Sequence, residues 1–398
     1  MSINDKLNTF YSWIEKNDKK SYDQYDFWAS KYGIISKKIY YQNKILGAPF
    51  VGSIFILDIF FPWTRKILFK KKSVFPIANA HLILGYINRY KISNNNKYLN
   101  KAIVLSDILI KDSISTKYGI GWGYPFNWMT TRGLLESGVP LITTTPYCLE
   151  AYIELYKITN EEKFKDIISK IYNFCKNDLG FTNFKQFTAS SYSTIDNSII
   201  VNASAYRAYS LILAGDFLKD NEGIEIGKEL IQFVIGVQNS DGSWYYGFDH
   251  SNDQFIDNFH TCFVLKNLIK SNRIVETLKI DDSIEKGLNY YFKNLFDGNY
   301  TIPFSFNSRT QFVNLEMYDI AEFINLLSLN IQNPVYYNEI KKIIDKIFYE
   351  FYLTKGYFIT RKYKFSIINK TPYLRWPQAQ LFNYLTNIEF LCAELLEK

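Results

Sequence analysis

A recurring helix start constrains this chain more than any other feature. Segments that open helices lie near Pro76, Pro146, Asn202, Asp257, Glu316 and Pro372, at steps of 70, 56, 55, 59 and 56 residues. Each follows an aromatic, glycine-containing loop. A unit of that length holds two helices and a loop. Six such hairpins close into an all-α (α/α)6 toroid whose inner helix ends surround a central cleft. No hairpin buries its apolar face alone, so the repeat argues for one closed domain rather than the two or three that 398 residues would suggest. Residues 1–50 are expected to supply helices that close the ring, and residues 51–398 the toroid.

The first inner helix shows Ala80, Ile83, Leu84 and Ile87 at the i, i+3, i+4, i+7 spacing of a helix face. Leu149, Tyr152, Ile153 and Tyr156 repeat it, as do Ala205, Ala208, Tyr209 and Ile212, and Ile320, Phe323, Ile324 and Leu327. Thr145-Pro146-Tyr147 and Thr371-Pro372-Tyr373 read as helix starts with Thr as N-cap and Pro at the first helical position. Lysine-rich amphipathic stretches near 98–113, 161–177, 222–238, 281–295 and 335–352 read as the outer layer. Nothing alternates long enough for a large sheet, although Tyr245/Tyr246 and Tyr357/Phe358 suggest short hairpins within loops.

With 47% hydrophobic and 18% aromatic residues, core material is plentiful, and a net charge of +7 on a chain of this length does not argue for nucleic acid. Cys148, Cys175, Cys262 and Cys392 form no CxxC or CxH pattern, so no thiolate metal site and no cofactor is expected. Cys148 and Cys262 fall on apolar helix faces, where a thiol behaves as a small hydrophobe, and a cytoplasmic location follows as an expectation. Met1 to Asp5 does not open a signal peptide. Ile54 to Trp63 reads IFILDIFFPW and is followed by Arg65, Lys66, Lys70, Lys71 and Lys72. The run is about half the roughly 20 residues of a spanning helix. A buried helix with a basic tail is the plainer reading of 54–72, and weak contact with an anionic membrane surface the sharper one.

The loops leading into the inner helices carry the candidate chemistry. Trp122, Tyr124 and Asn127 lie in GWGYPFNW, Tyr192 in the next loop, and Trp244 and Tyr245 in DGSWYYG. Aromatics beside amides and hydroxyls suit a sugar, whose C–H face stacks while its hydroxyls bond polar groups. The alternative is that Gly-Trp corners pack between helices. The helix starts add His81, Tyr147, Asn202, Asp257 with His260, Asp319, Arg375, Trp376 and Gln378. Asp257 and His260, three residues apart, share a helix face, so the carboxylate can orient an imidazole acting as general acid or base. Six helix N-termini around one cleft favour an anionic group there.

Gln238 to Trp244 resembles the QxxxGxW element of squalene-type cyclases, but their Asp-x-Asp-Asp motif is missing. Asp281, Asp282 and Glu285 mimic a magnesium motif at an outer helix start. No P-loop, GxGxxG, GxSxG or zinc spacing occurs.

GWGYPFNW, PYCLEAYIELYKIT, QNSDGSWYYGFDHSNDQFIDNFHTCFVLKNL and GYFITRKYKF…PYLRWPQAQ together resemble a bacterial family of VpsJ-like polysaccharide-biosynthesis proteins, over about residues 55–395. The resemblance implies a six-hairpin toroid like those of glycosidases, uronate lyases and the helical domain of glucuronyl C5-epimerases. It matches Trp122, Tyr124, Asp257, His260, Asp319, Arg375, Trp376 and Gln378. The family pattern would place Asp at Asn127 and His at Ala321. By this reading the cleft binds an oligo- or polysaccharide, and polysaccharide-synthesis proteins are expected partners. Hydrolysis would use Asp257 and Asp319 as paired carboxylates. Elimination or C5-epimerisation would use His260 with Tyr192 or Tyr245, with Arg375 and Asn202 holding a carboxylate. A non-catalytic glycan- or glycosyltransferase-binding scaffold and, more weakly, a terpene-type cyclase are the alternatives.

Overall fold

The computed structural model describes residues 2–69, 72–307 and 312–396. Five helices precede the repeat: α1 (Ile3–Asn17), α2 (Asp26–Ala29), α3 (Lys31–Gln42), α4 (Lys44–Phe60) and α5 (Arg65–Leu68). The hairpins follow as α6 (Pro76–Ser93) with α7 (Asn96–Lys111), α8 (Thr145–Thr159) with α9 (Glu162–Asn173), and α10 (Val201–Leu218) with α11 (Asn221–Gly236). They continue as α12 (Asn258–Ile274) with α13 (Asp281–Asn294), α14 (Met317–Ser328) with α15 (Pro334–Glu350), and α16 (Ala379–Leu396).

The even-numbered helices from α6 to α16 form an inner ring, and α6 packs on α16 to close it. Both layers follow from composition. Inner helices such as α10 are buried on every side, while α7, α9, α11, α13 and α15 bury one stripe. α1 packs on α15 and α16 in the outer layer. The fold is an (α/α)6 toroid. Residue 50 falls inside α4, and the stretch that leaves the ring runs from 18 to 75.

Two sequence features set the hairpin geometry. Asn94, Asn160 and Lys219 end α6, α8 and α10 in the left-handed conformation, so the next helix begins three residues after the last one stops. At the other end, side chains donate to carbonyls in the last turns of the outer helices. The Trp122 indole N–H donates to Leu109 O and that of Trp244 to Val234 O, both at 2.8 Å. Arg207 donates to Cys175 O, Asn258 to Leu295 O and Lys6 to Phe348 O.

Three local expectations are corrected. Thr145 is not an N-cap: its hydroxyl donates to Leu141 O and accepts from Trp122 N, and Thr144 stands at the cap without a side-chain bond. The sixth inner helix begins at Ala379, not near Pro372, because Pro377 keeps Trp376 out of helical geometry (φ −144°, ψ 115°). Tyr245 and Tyr246 form no hairpin; Tyr246 N donates to Phe255 O and its carbonyl accepts from Val201 N, which ties the loop to α10. Tyr357–Phe358 does pair, with Tyr352–Leu353.

The loops entering the inner helices crowd one rim. Among the described residues the sheets are small, and the largest has three strands, Val313–Glu316, Arg361–Tyr363 and Ile368–Asn369. Residues 18–75 reach the same rim, where Tyr25 packs on Trp128 at 4.5 Å and on Trp376 at 5.5 Å.

Candidate functional site

Asp257 and His260 form a dyad at the start of α12. Asp257, 2% exposed, caps the helix by accepting from His260 N at 3.1 Å. The same carboxylate meets His260 Nδ1 at 2.7 and 2.9 Å. Capping and orientation are therefore one arrangement rather than alternatives. The carboxylate assigns the ring proton to Nδ1 and leaves Nε2 as the acceptor. The imidazole is part-exposed and lies among Phe259, Tyr246 and Phe255, with ring centroids 4.2, 4.5 and 5.9 Å away.

Beside it is a small cavity of about 10 Å³, lined by Asn202, Trp244, Tyr245, Tyr246, Asp257 and His260, among others. Asn202 is 3% exposed, and its Oδ1 has no protein partner. On the neighbouring α14, Asp319 is 1% exposed, and its Oδ1 also lacks a partner. Burial, then the charges of Glu316 and Asp257, push the Asp319 carboxyl well above the usual range. The raised pKa favours the protonated form of Asp319, and Asp257 is committed to His260 and the helix cap, so the two are not an equivalent pair of open carboxylates.

Tyr124 belongs to an aromatic wall: it stacks on Phe126 at 5.3 Å, and the Arg375 guanidinium lies 5.2 Å from its ring. Trp376 continues the wall, 4.9 Å from Tyr318, which stands 5.0 Å from Phe259 beside His260. Tyr192 accepts from Thr143 at 3.0 Å, and burial with neighbouring Tyr124 and Tyr246 raises its phenol well above the usual range. It stays neutral and does not serve as a base at neutral pH. For Tyr245 the structure gives a place on the cavity wall.

The remaining expected site residues hold the fold. Trp122 is wholly buried as a helix-end cap, and Trp244, buried in the cavity wall, donates its indole N–H in the same way. Gln378 is buried and bonds both N–H and C=O of Phe358. Asn127 accepts from Ser137 N at 2.8 Å and fixes its own loop. Arg375 is no free carboxylate clamp: Asp23, from the segment that leaves the ring, accepts from its Nε at 2.7 Å and Nη2 at 2.5 Å. Arg375 Nη1 has no partner. His81 is buried and bonds Asn383, and burial drives its pKa well below the usual range. Tyr147 is buried against Tyr206, their hydroxyls 2.5 Å apart.

Sequence reasoning missed the network these last residues surround. Lys266, six residues beyond His260 on α12, donates to Glu322 and to Tyr147, each at 2.8 Å. Glu322 also accepts from Gln380 and Tyr384. Both charged groups are essentially fully buried at the ring's centre. A lysine within the apolar run of α12 was the available signal. Among the described residues no group of three or more His, Cys, Asp and Glu side chains could hold a metal ion.

No protein-family model matches the chain, and no curated protein matches it. Its structure is similar to a GH76 α-mannanase of Bacteroides thetaiotaomicron, at 12% identity over 82% of this chain and 89% of that one, with a TM-score of 0.62. It is also similar to a cellobiose 2-epimerase of Bacillus thermoamylovorans (10% identity, 79% and 87% covered, TM-score 0.60). A polysaccharide lyase gives 12% identity, 85% and 96% covered, and a TM-score of 0.59. These likenesses establish the six-hairpin toroid.

Proposed function

We propose that this chain is a carbohydrate-active enzyme that moves a proton at a sugar ring of a cell-surface polysaccharide or its precursor, with His260 as the proton-transfer group. The Asp257–His260 dyad carries the reading: the imidazole is held at Nδ1 and lines a cavity in whose wall Asn202 Oδ1 has no partner. Asp257 would offset the imidazolium charge when Nε2 takes a proton. Asn202 Oδ1 would accept a sugar hydroxyl, and the Asp319 carboxyl on the neighbouring helix, its pKa raised by burial, would serve as the acid. This division of labour suits abstraction next to a carbonyl or carboxylate, as in epimerisation or elimination, better than hydrolysis between two open carboxylates. The structural neighbours support the substrate class, because they include a mannanase, an epimerase and a lyase. The enclosed space is about 10 Å³, room for about one water, so a sugar ring would sit at the open mouth beside His260 rather than inside the wall.

The test is turnover of uronic-acid and neutral oligosaccharides in heavy water, followed by mass spectrometry. Deuterium incorporation or an unsaturated product in wild type, lost in His260→Asn, is expected. Wild type that neither exchanges nor converts any of them would sink the proposal. The Asp23–Arg375 pair favours a second reading, a glycan-binding scaffold, because it occupies the guanidinium a bound carboxylate would use. Binding without exchange would select it.

A further inference from the structure

Charge and exposed apolar surface are both concentrated in one stretch outside the ring. Residues 31–72 hold nine Lys and Arg against one Asp, a net +8. The whole chain is +7, so all the other residues together sum to −1. Nearly half of the large apolar side chains left exposed among the described residues also fall between Tyr32 and Leu68. Ile45 is 85% exposed and Ile67 66%, and Leu46, Ile56, Phe60 and Trp63 are each more than half exposed. Lys31, Lys38, Lys44, Lys66 and Lys72 are exposed in the same stretch. Lys70 and Lys71 lie outside the described residues.

We infer that α3, α4 and α5 form an anchor that docks in the plane of an anionic lipid bilayer. α3 and α4 pack as a tight pair: a Cβ at Gly47 would meet Tyr40 Cα at 2.2 Å. One side of α4 is buried at Gly47, Ile54 and Asp58, while Ile45, Leu46, Phe50, Phe55, Ile56 and Phe60 are exposed. Its 17 residues rise about 25 Å, short of the roughly 30 Å hydrocarbon core. The chain then turns by 93° into 62–68, and no single described helix is long and apolar enough to cross a membrane. Apolar residues flanked by lysines on a helix that cannot span are the composition of an interfacial anchor. A symmetric contact with a second copy would set one lysine-rich surface against another.

Arg65 makes the anchor rigid with the rim. It pairs with Asp58 across the bend and donates to the carbonyls of Asp23 and Gln24. Asp23 holds Arg375 beside Trp376. The mouth is therefore fixed relative to the lipid surface, and its substrate is drawn from glycans linked to lipid. That last step rests on the glycan reading above; the docking itself does not.

Flotation with vesicles, without glycan, tests the docking. Wild type should float with phosphatidylcholine mixed with phosphatidylglycerol, and less with phosphatidylcholine alone or in high salt. Ile45→Glu with Ile67→Glu should lower partition about tenfold or more while the melting temperature holds. Lys44→Glu with Lys66→Glu should lose the preference for anionic lipid. Absence of flotation with either vesicle would overturn the inference, as would concentration-dependent dimerisation abolished by the same apolar substitutions. Docking with no glycan conversion would overturn only the glycan reading.

Discussion

α12 carries two polar clusters about two helical turns apart, built on opposite plans. At its start, Asp257 and His260 line a cavity where Asn202 has an oxygen with no partner, and on the neighbouring α14 Asp319 has another. Six residues on, the Lys266–Glu322 pair is buried, with Tyr147, Gln380 and Tyr384 completing it. Buried charge is tolerable only when paired and hydrogen-bonded, and the central pair meets that condition. The first cluster leaves acceptors unsatisfied, as expected where a ligand completes the bonding. One helix thus pins the ring at its centre and presents chemistry at its mouth.

Removing one partner of the central pair should produce the largest effect. Lys266→Met leaves Glu322 charged and buried, and is expected to cost about 3–5 kcal/mol in urea unfolding. Adding Glu322→Leu should recover a substantial part, although Gln380 and Tyr384 then lose their acceptor. If the single variant is as stable as wild type, the centre is not pinned by charge. At the mouth the expectation is reversed. His260→Asn should lower turnover by about 10²–10⁴ while shifting stability by less than about 1 kcal/mol, since the imidazole is part-exposed. A His260 variant that unfolds, with its turnover following the folded fraction, would erase the distinction between the clusters.

The same contrast explains what was legible in the sequence. The repeat was, because each hairpin repeats its helix face and its turn locally. The Asp257–His260 dyad was, because i, i+3 spacing fixes a shared face. Trp122 and Trp244 were placed in the right loops, but their bonds to helix-end carbonyls were not foreseen. Gly-Trp reads alike whether the ring meets sugar or its N–H caps a helix end, and only the position of Leu109 O or Val234 O decides. Partners distant in sequence were invisible: Glu322 lies 56 residues beyond Lys266, and Asp23 is 352 residues from Arg375. Asp23 thereby takes the guanidinium that Arg375 was expected to offer a ligand.

The cluster around Asp23 is a third case, between the other two, and it titrates. Burial first, and the neighbouring Asp23 charge second, push Asp26 from an ordinary 3.8 to about 7, with Arg65 and Arg375 pulling the other way. A carboxyl whose folded pKa is raised adds stability at pH below its unfolded value. That stability is lost as pH rises through about 7. Between pH 5 and 8 the melting temperature should therefore fall with pH by an amount that Asp26→Asn removes, because the amide keeps an acceptor for Asp23 N. An unchanged slope in the variant would show that Asp26 is ionised throughout.

Asp319→Asn should have the smallest effect, and that smallness is informative. If the carboxyl is held protonated by burial, Glu316 and Asp257, an amide of nearly the same shape still donates a hydrogen bond. Turnover should then fall less than about tenfold, with stability within about 1 kcal/mol. A carboxylate acting as nucleophile or base would behave otherwise, since its charge carries the reaction, and its loss would cost about 10³ or more. A large loss at Asp319 would therefore move the chemistry from the His260 dyad to a carboxylate pair, and hydrolysis would displace proton transfer as the reaction this mouth supports.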